Sequence, residues 1–168
     1  MHRTEQAARI ESLKTAYRLE PHPEGGAFAE AWSSTEAREG RPLAGSICFL
    51  LERDEISHLH VIDCDEVWYF HEGCGMALTM IAPDGTVSEA RLGTDTGAGE
   101  RMMIAIPAGV LFAARNLDPE GYTFVSCATS PHFTYEGFRL IGEAELKRLC
   151  ADRADELLTL IIPEKRIS

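Results

Sequence analysis

Positive charge is scarce in this chain. Lysine and arginine total 16 against 27 aspartates and glutamates, giving a net charge of −11 at pH 7 over 168 residues. Nucleic acids and anionic membrane surfaces are met by basic faces, so neither is expected as a partner. No apolar run is long enough to span a bilayer. The opening stretch MHRTEQAARIESLK lacks an apolar h-region, so no secretory signal and a cytoplasmic location are expected. Cysteine is sparse as well. Cys48, Cys64, Cys74, Cys127 and Cys150 are odd in number and form no CxxC, which argues against a disulfide framework. Most should be small buried residues. Cys64, in an expected turn beside Asp65, is the candidate for greater exposure, with a passive turn residue the favoured reading. Also missing are internal repeats, a Gly-rich phosphate loop before a helix and a Ser-His-Asp arrangement. No nucleotide cofactor is therefore expected.

What is present is the composition of a globular protein: 45% hydrophobic and 26% charged residues. The length suits one domain with a sizeable core, taken as residues 1–168. Thr4 to Tyr17 reads as a helix, with Ala7, Ile10, Leu13 and Tyr17 on one stripe and Thr4 as N-cap. Glu20-Pro-His-Pro-Glu-Gly-Gly26 cannot continue it and marks a shaped loop. His22 and Glu24 in that loop are either functional or merely solvated; composition does not decide. From about 27 to 141 the punctuation is that of an all-β unit. Strands are expected at 27–33, 45–51, 56–62, 66–71, 76–81, 87–92, 101–106, 111–116, 123–128 and 138–141. Pro83-Asp84-Gly85 is a hairpin signal. Short strands at this spacing indicate a sandwich or barrel. Helix returns over about 143–161, with Leu146 and Leu149 and a later Leu/Ile stripe, and Pro163 ends it.

The stretch with most chemical content is Ser57 to Gly73, SHLHVIDCDEVWYFHEG. In an extended strand His58 and His60 share a face, and Glu66, Trp68 and Phe70 form a second such row. A tight turn at Ile62 to Cys64 would pair the two strands and bring Glu66 near the imidazoles. Two imidazoles and a carboxylate are a donor set for a divalent transition metal. The competing reading is two half-buried strand histidines with hydrogen-bond partners.

These residues resemble the small single-domain cupins grouped as a family of unknown function. The resemblance rests on Pro21-His-Pro-Glu-Gly-Gly26, Ser46 to Leu51, Ser57 to Gly73, Pro83-Asp84-Gly85, Leu92-Gly93, Gly99-Glu100, Pro107-Ala108-Gly109, Ser130-Pro131-His132-Phe133 and Gly137-Phe138. It implies a mainly β double-stranded β-helix, a jelly-roll barrel over about 27–141 with helices at about 4–17 and 143–161, and a homodimer. Cupins at large include dioxygenases, isomerases, epimerases and pure binders, so the fold does not give the function. In the wider cupin pattern His58, His60, Glu66 and Gly73 match the first motif, with Glu66 one residue late. Pro107, Gly109 and Asn116 match the second, but Phe112 stands where a fourth ligand, His, is usual. Relative to the nearer family, Ser33 and Val61 replace arginines, and Met103 and His132 replace Gln and Gly.

Three functions follow as expectations. The first is a small-molecule enzyme holding Fe, Zn, Ni or Mn on His58, His60 and Glu66, with Trp68, Phe70, Met103 and Phe112 as an apolar wall and His132 as a further pocket residue. The second is a metal-free sugar or nucleotide-sugar binder or epimerase, with His60 as base and Glu66 orienting it. The third is a non-catalytic dimeric binding protein. His58, His60, Glu66, Trp68, Met103 and Phe112 are expected to line one cavity.

Overall fold

The structure, a computed structural model, describes residues 3–163. Both ends of the expected 1–168 unit lie outside the described residues. Helix α1 (Arg3–Tyr17) comes first, then β1 (Glu20–Pro21), β2 (Ala27–Ser33), β3 (Ala37–Arg38), β4 (Arg41–Pro42) and β5 (Gly45–Glu52). Next come β6 (Ile56–Val61), β7 (Asp65–Gly73), β8 (Met76–Ile81), β9 (Val87–Leu92), β10 (Glu100–Arg101) and β11 (Met103–Ile106). The series closes with β12 (Leu111–Asn116), β13 (Tyr122–Ser130), β14 (Arg139–Leu140), α2 (Glu143–Leu149) and α3 (Ala154–Leu157).

Two six-stranded sheets carry the molecule, ordered β1-β2-β5-β13-β7-β11 and β10-β9-β8-β12-β6-β14. Their inward side chains meet in a central core: Phe49, Leu51, Trp68 and Val125 from the first sheet, Leu78 and Phe112 from the second. The expected mainly β jelly-roll architecture with flanking helices is what forms. Alternation along β5 explains its nearly continuous apolar run. Phe49 and Leu51 enter the core, while Leu50 points outward beneath Ile10 and Leu13 of α1. The C-terminal helices do the same for the second sheet, where Leu146 and Leu157 cover Leu59, Leu111 and Ala113. The helices thus cover the apolar part of each outer face. Pro83-Asp84-Gly85 turns β8 into β9, with Asp84 accepting from the Thr86 N–H at 2.9 Å. Among the described residues no helix is long and apolar enough to cross a membrane.

Two local expectations need correction. The strands at 57–62 and 66–71 do not pair with each other. β6 pairs with β12 and β14 in the second sheet, and β7 pairs with β13 and β11 in the first. Residues 62–64 are a crossing between sheets rather than a surface turn. Ile62 and Cys64 point into the core, leaving Asp63 outside, where Arg41 holds it in a two-pronged ion pair. Cys64 is accordingly 1% exposed, against the expectation of greater exposure.

Candidate functional site

A cavity of about 280 Å³ opens between the sheets at the end where the 22–26 loop and the segment after β13 meet. Its shape depends on two glycines. Gly25 has φ +112°, and a side chain there would stand 2.1 Å from the Ile56 carbonyl oxygen. Gly26 has φ +74°, and a side chain would meet Phe49 at 2.7 Å. Only glycine permits both the left-handed backbone and the close approach. The doublet therefore presses the loop onto β5 and β6 and carries His22 and Glu24 into the cavity lining.

Glu24 is 6% exposed and makes three contacts through its carboxyl. Ser57 Oγ donates to Oε1 at 2.6 Å, His60 Nε2 lies 3.1 Å from Oε2, and His22 Nδ1 lies 3.5 Å from Oε2. The proton positions follow from the other partners. His60 Nδ1 lies 2.7 Å from the His58 carbonyl oxygen, which only accepts, so Nδ1 carries hydrogen. Burial pushes His60 below the usual histidine range and pushes Glu24 above the usual carboxyl range. Both effects favour neutral partners: a protonated Glu24 donating to a neutral imidazole. His22 is likewise lowered by burial, and its Nδ1 accepts the Glu24 backbone N–H at 3.3 Å.

Glu66 lines the same cavity from the opposite sheet and is 8% exposed. Burial raises its carboxyl to about 7. Trp68, two residues on along the same face, also lines the cavity. Its indole stands close enough to favour ionisation of Glu66. Even so, the fully buried Nε1 makes no hydrogen bond of acceptable geometry. At the cavity mouth His132 Nε2 meets Glu30 Oε2 at 3.3 Å.

Of the residues expected from the sequence, the structure brings His60, Glu66, Trp68 and His132 together around the cavity. Phe112 is buried directly against His60, ring centroids 4.0 Å apart, and does not line the space. Phe70 packs into the central core. Met103 is 56% exposed, because Ile104 and Ile106 take the inward positions of the edge strand β11. His58 also lies outside the cavity lining, for a specific reason. Phe112 pairs with His60 and Ala114 with Ser57, so two residues of β12 span three of β6. This bulge gives Ser57 and His60 the shared inward face that strict alternation assigns to His58 and His60. The His58 imidazole instead donates through Nδ1 to the Glu24 carbonyl oxygen at 2.6 Å and ties the loop down. Asp65 is structural too, accepting the Ala108 N–H at 2.8 Å in the Pro-Ala-Gly turn.

These positions bear on metal binding. His58 is held outside the cavity, Phe112 fills the place of a fourth ligand, and His60 spends both ring nitrogens on protein partners. Among the described residues no three His, Cys, Asp or Glu side chains are disposed to hold a metal ion. The donor set His58, His60 and Glu66 does not fit such an ion.

Sequence reasoning left His22 and Glu24 undecided, and Glu24 is the residue that joins the site. The signal available was the Gly25-Gly26 doublet directly after an ionisable pair, which marks a backbone forced close to something.

A family model described as Cupin superfamily (DUF985) matches residues 11–141. A protein of Shewanella oneidensis of known structure is 35% identical, with a TM-score of 0.86 over 92% of this chain and 98% of its own. A hypothetical protein from Leishmania major is 28% identical, with a TM-score of 0.82 over 91% and 98%. Oxalate decarboxylase from Bacillus subtilis shares the fold alone, at 17% identity and a TM-score of 0.54 over 83% of this chain and 36% of its own. No curated protein is significantly similar to the chain.

Proposed function

The chain belongs to this cupin family, and from that premise we propose that it binds a small organic molecule in the inter-sheet cavity and moves a proton to and from it without a metal. The observation that carries this reading is the buried Ser57–Glu24–His60 chain ending at the cavity. Glu66 is the general acid–base group. Its carboxyl, raised to about 7 by burial, is poised to give or take a proton near neutral pH. His60 is the positioning partner. Its ring is fixed by the His58 carbonyl and backed by Phe112, so its free Nε2 is held as the acceptor of the Glu24 proton. The wall of Phe28, Phe49 and Trp68 limits water access and keeps both carboxyls near their neutral forms. The reaction class this suits is proton abstraction and return at one carbon or nitrogen, as in an isomerase or tautomerase.

The test is a ligand screen by thermal shift, with and without EDTA, followed by proton NMR of each hit in D2O. Stabilisation that EDTA leaves unchanged is expected. Deuterium incorporation should be lost in Glu66→Gln while that variant still folds. Ligand stabilisation that disappears with EDTA and returns with a divalent ion would sink the metal-free reading.

A further inference from the structure

One imidazole in the cavity lining keeps a ring nitrogen free. His22 Nδ1 accepts the Glu24 backbone N–H at 3.3 Å and lies 3.5 Å from Glu24 Oε2. Burial holds the ring neutral, so its one hydrogen sits on Nε2. Nε2 meets no acceptor among the described residues, and it is not sealed in either. Among those residues, the side-chain nitrogens and oxygens shut away without a partner are Trp68 Nε1 and Asn116 Oδ1. The His22 Nε2–H therefore opens onto the cavity that the residue lines. Neighbouring rings fix its direction. Phe28 and Phe138 pack edge-on against the imidazole at centroid distances of 4.6 and 5.9 Å, and Tyr135 stacks at 6.4 Å. A donor held in place before a ligand arrives loses little freedom on binding.

Glu66 enters the same space from β7. Burial raises its carboxyl to about 7, while the Trp68 indole and the Cys127 thiol beside it favour the ionised form. The Phe49 ring packs against both His22 and Trp68, at 6.4 and 5.6 Å. In a cavity of about 280 Å³, donor and base thus reach one small molecule. They differ in kind: a neutral N–H, and a carboxyl that takes a proton near neutral pH. A proton taken from carbon leaves an electron pair behind. A carbonyl beside that carbon moves the pair onto its oxygen, and a fixed donor at that oxygen lowers the barrier. A neutral imidazole N–H fills this role without a cation.

Resting on the reading of this cavity as a metal-free proton-transfer site, we infer that its substrate is a small carbonyl compound bearing hydrogen on the adjacent carbon, and that His22 is a second catalytic residue, donating from Nε2–H to the carbonyl oxygen. The Glu66 carboxylate takes the proton from carbon. The C–H electron pair becomes a C=C bond, and the carbonyl π pair moves to the oxygen held by His22. Return of the proton from Glu66 to carbon restores the carbonyl.

The test follows deuterium uptake from D2O by proton NMR, using the full chain with cyclohexanone, dihydroxyacetone and indene, a carbon acid without oxygen. Exchange above the buffer rate is expected for at least one ketone and not for indene. His22→Asn keeps an acceptor for the Glu24 N–H but places no donor at Nε2. His22→Phe keeps the flat ring without a donor. Each, checked for folding by circular dichroism, should slow ketone exchange about a hundredfold, and Glu66→Gln should abolish it. Ketone exchange that needs Glu66 but is unchanged in either folded His22 variant overturns the role of His22 and leaves the cavity reading standing. Exchange of indene through Glu66, with none of either ketone, overturns the substrate class and again leaves that reading standing. If no probe exchanges, the inference falls. If none raises the melting temperature either, the cavity reading falls with it.

Discussion

Among the described residues a histidine Nε2 meets a glutamate Oε2 in two contrasting settings. At the cavity floor His60 Nε2 meets Glu24 Oε2 at 3.1 Å, with side chains 3% and 8% exposed. At the mouth His132 Nε2 meets Glu30 Oε2 at 3.3 Å, with side chains 19% and 59% exposed. The distances hardly differ; the surroundings do. At the mouth water reaches both side chains, and such a pair contributes little. At the floor the solvent is gone, charge is disfavoured, and the proton settles on the carboxyl. Burial, not pairing, makes the floor chemically distinctive. Breaking each pair separately tests that contrast.

The largest effect is expected from Glu24→Ala. It strands the Ser57 hydroxyl and His60 Nε2 in a dry interior and removes the side chain that joins the loop to β6. Leaving two buried neutral groups unpaired costs roughly 1–3 kcal/mol each. Denaturant unfolding measures it, and a loss under about 1 kcal/mol would mean that the floor behaves like the mouth.

The next effect is a pH dependence. Glu66 has a folded value of about 7, above its ordinary 4.5. Because the folded state holds this proton more tightly, its stabilising share is complete below pH 4.5 and is lost as pH rises to about 7. The swing is roughly 3 kcal/mol. The stability difference between the parent and Glu66→Gln should therefore shift against the parent by about that amount between pH 4.5 and 8. A constant difference over that range would show that Glu66 titrates normally.

Those two residues also mark how far the sequence could be read. Glu66, Trp68 and Phe70 keep their shared inward face because β7 runs regularly through them, so alternation placed the row correctly. His58 escaped because the bulge in β6 arises from its pairing with β12, some fifty residues away, and nothing in SHLH signals it. The sheets, the hairpin at Pro83-Asp84-Gly85 and the flanking helices were legible from local periodicity and turn chemistry. The 62–64 crossing was not, since a short apolar–acidic–apolar stretch suits a turn and a buried crossing equally well. The Glu24–His60 contact joins residues 36 positions apart, and only the Gly25-Gly26 doublet hinted at it.

A smaller effect sharpens the proton assignment at the floor. If Glu24 is neutral, Glu24→Gln reproduces it. The amide oxygen accepts from Ser57, and the NH2 donates to His60 Nε2 and reaches the accepting Nδ1 of His22. Stability at pH 7 should change by no more than about 1 kcal/mol. A loss comparable to that of Glu24→Ala would instead show an ionised carboxylate paired with an imidazolium, which an amide cannot replace.

The smallest effect is expected at the mouth, from Glu30→Gln. The Glu30 side chain is 59% exposed and contacts His132, whose Nδ1 already donates to the Phe133 carbonyl at 2.6 Å. The substitution removes a charge that water screens and leaves the shape unchanged. A stability change of at most about 0.5 kcal/mol is expected, shrinking further as salt is raised. The useful comparison is with Glu66→Gln at pH 8, the same chemical change in the dry interior. There the parent carries a buried carboxylate at a cost, so the amide should be the more stable form. At the mouth it should be neutral or slightly worse. If the two substitutions shift stability by the same amount and in the same direction at pH 8, solvent reaches Glu66 as freely as it reaches Glu30. The cavity then lacks the low-dielectric setting that the proposed acid–base role requires.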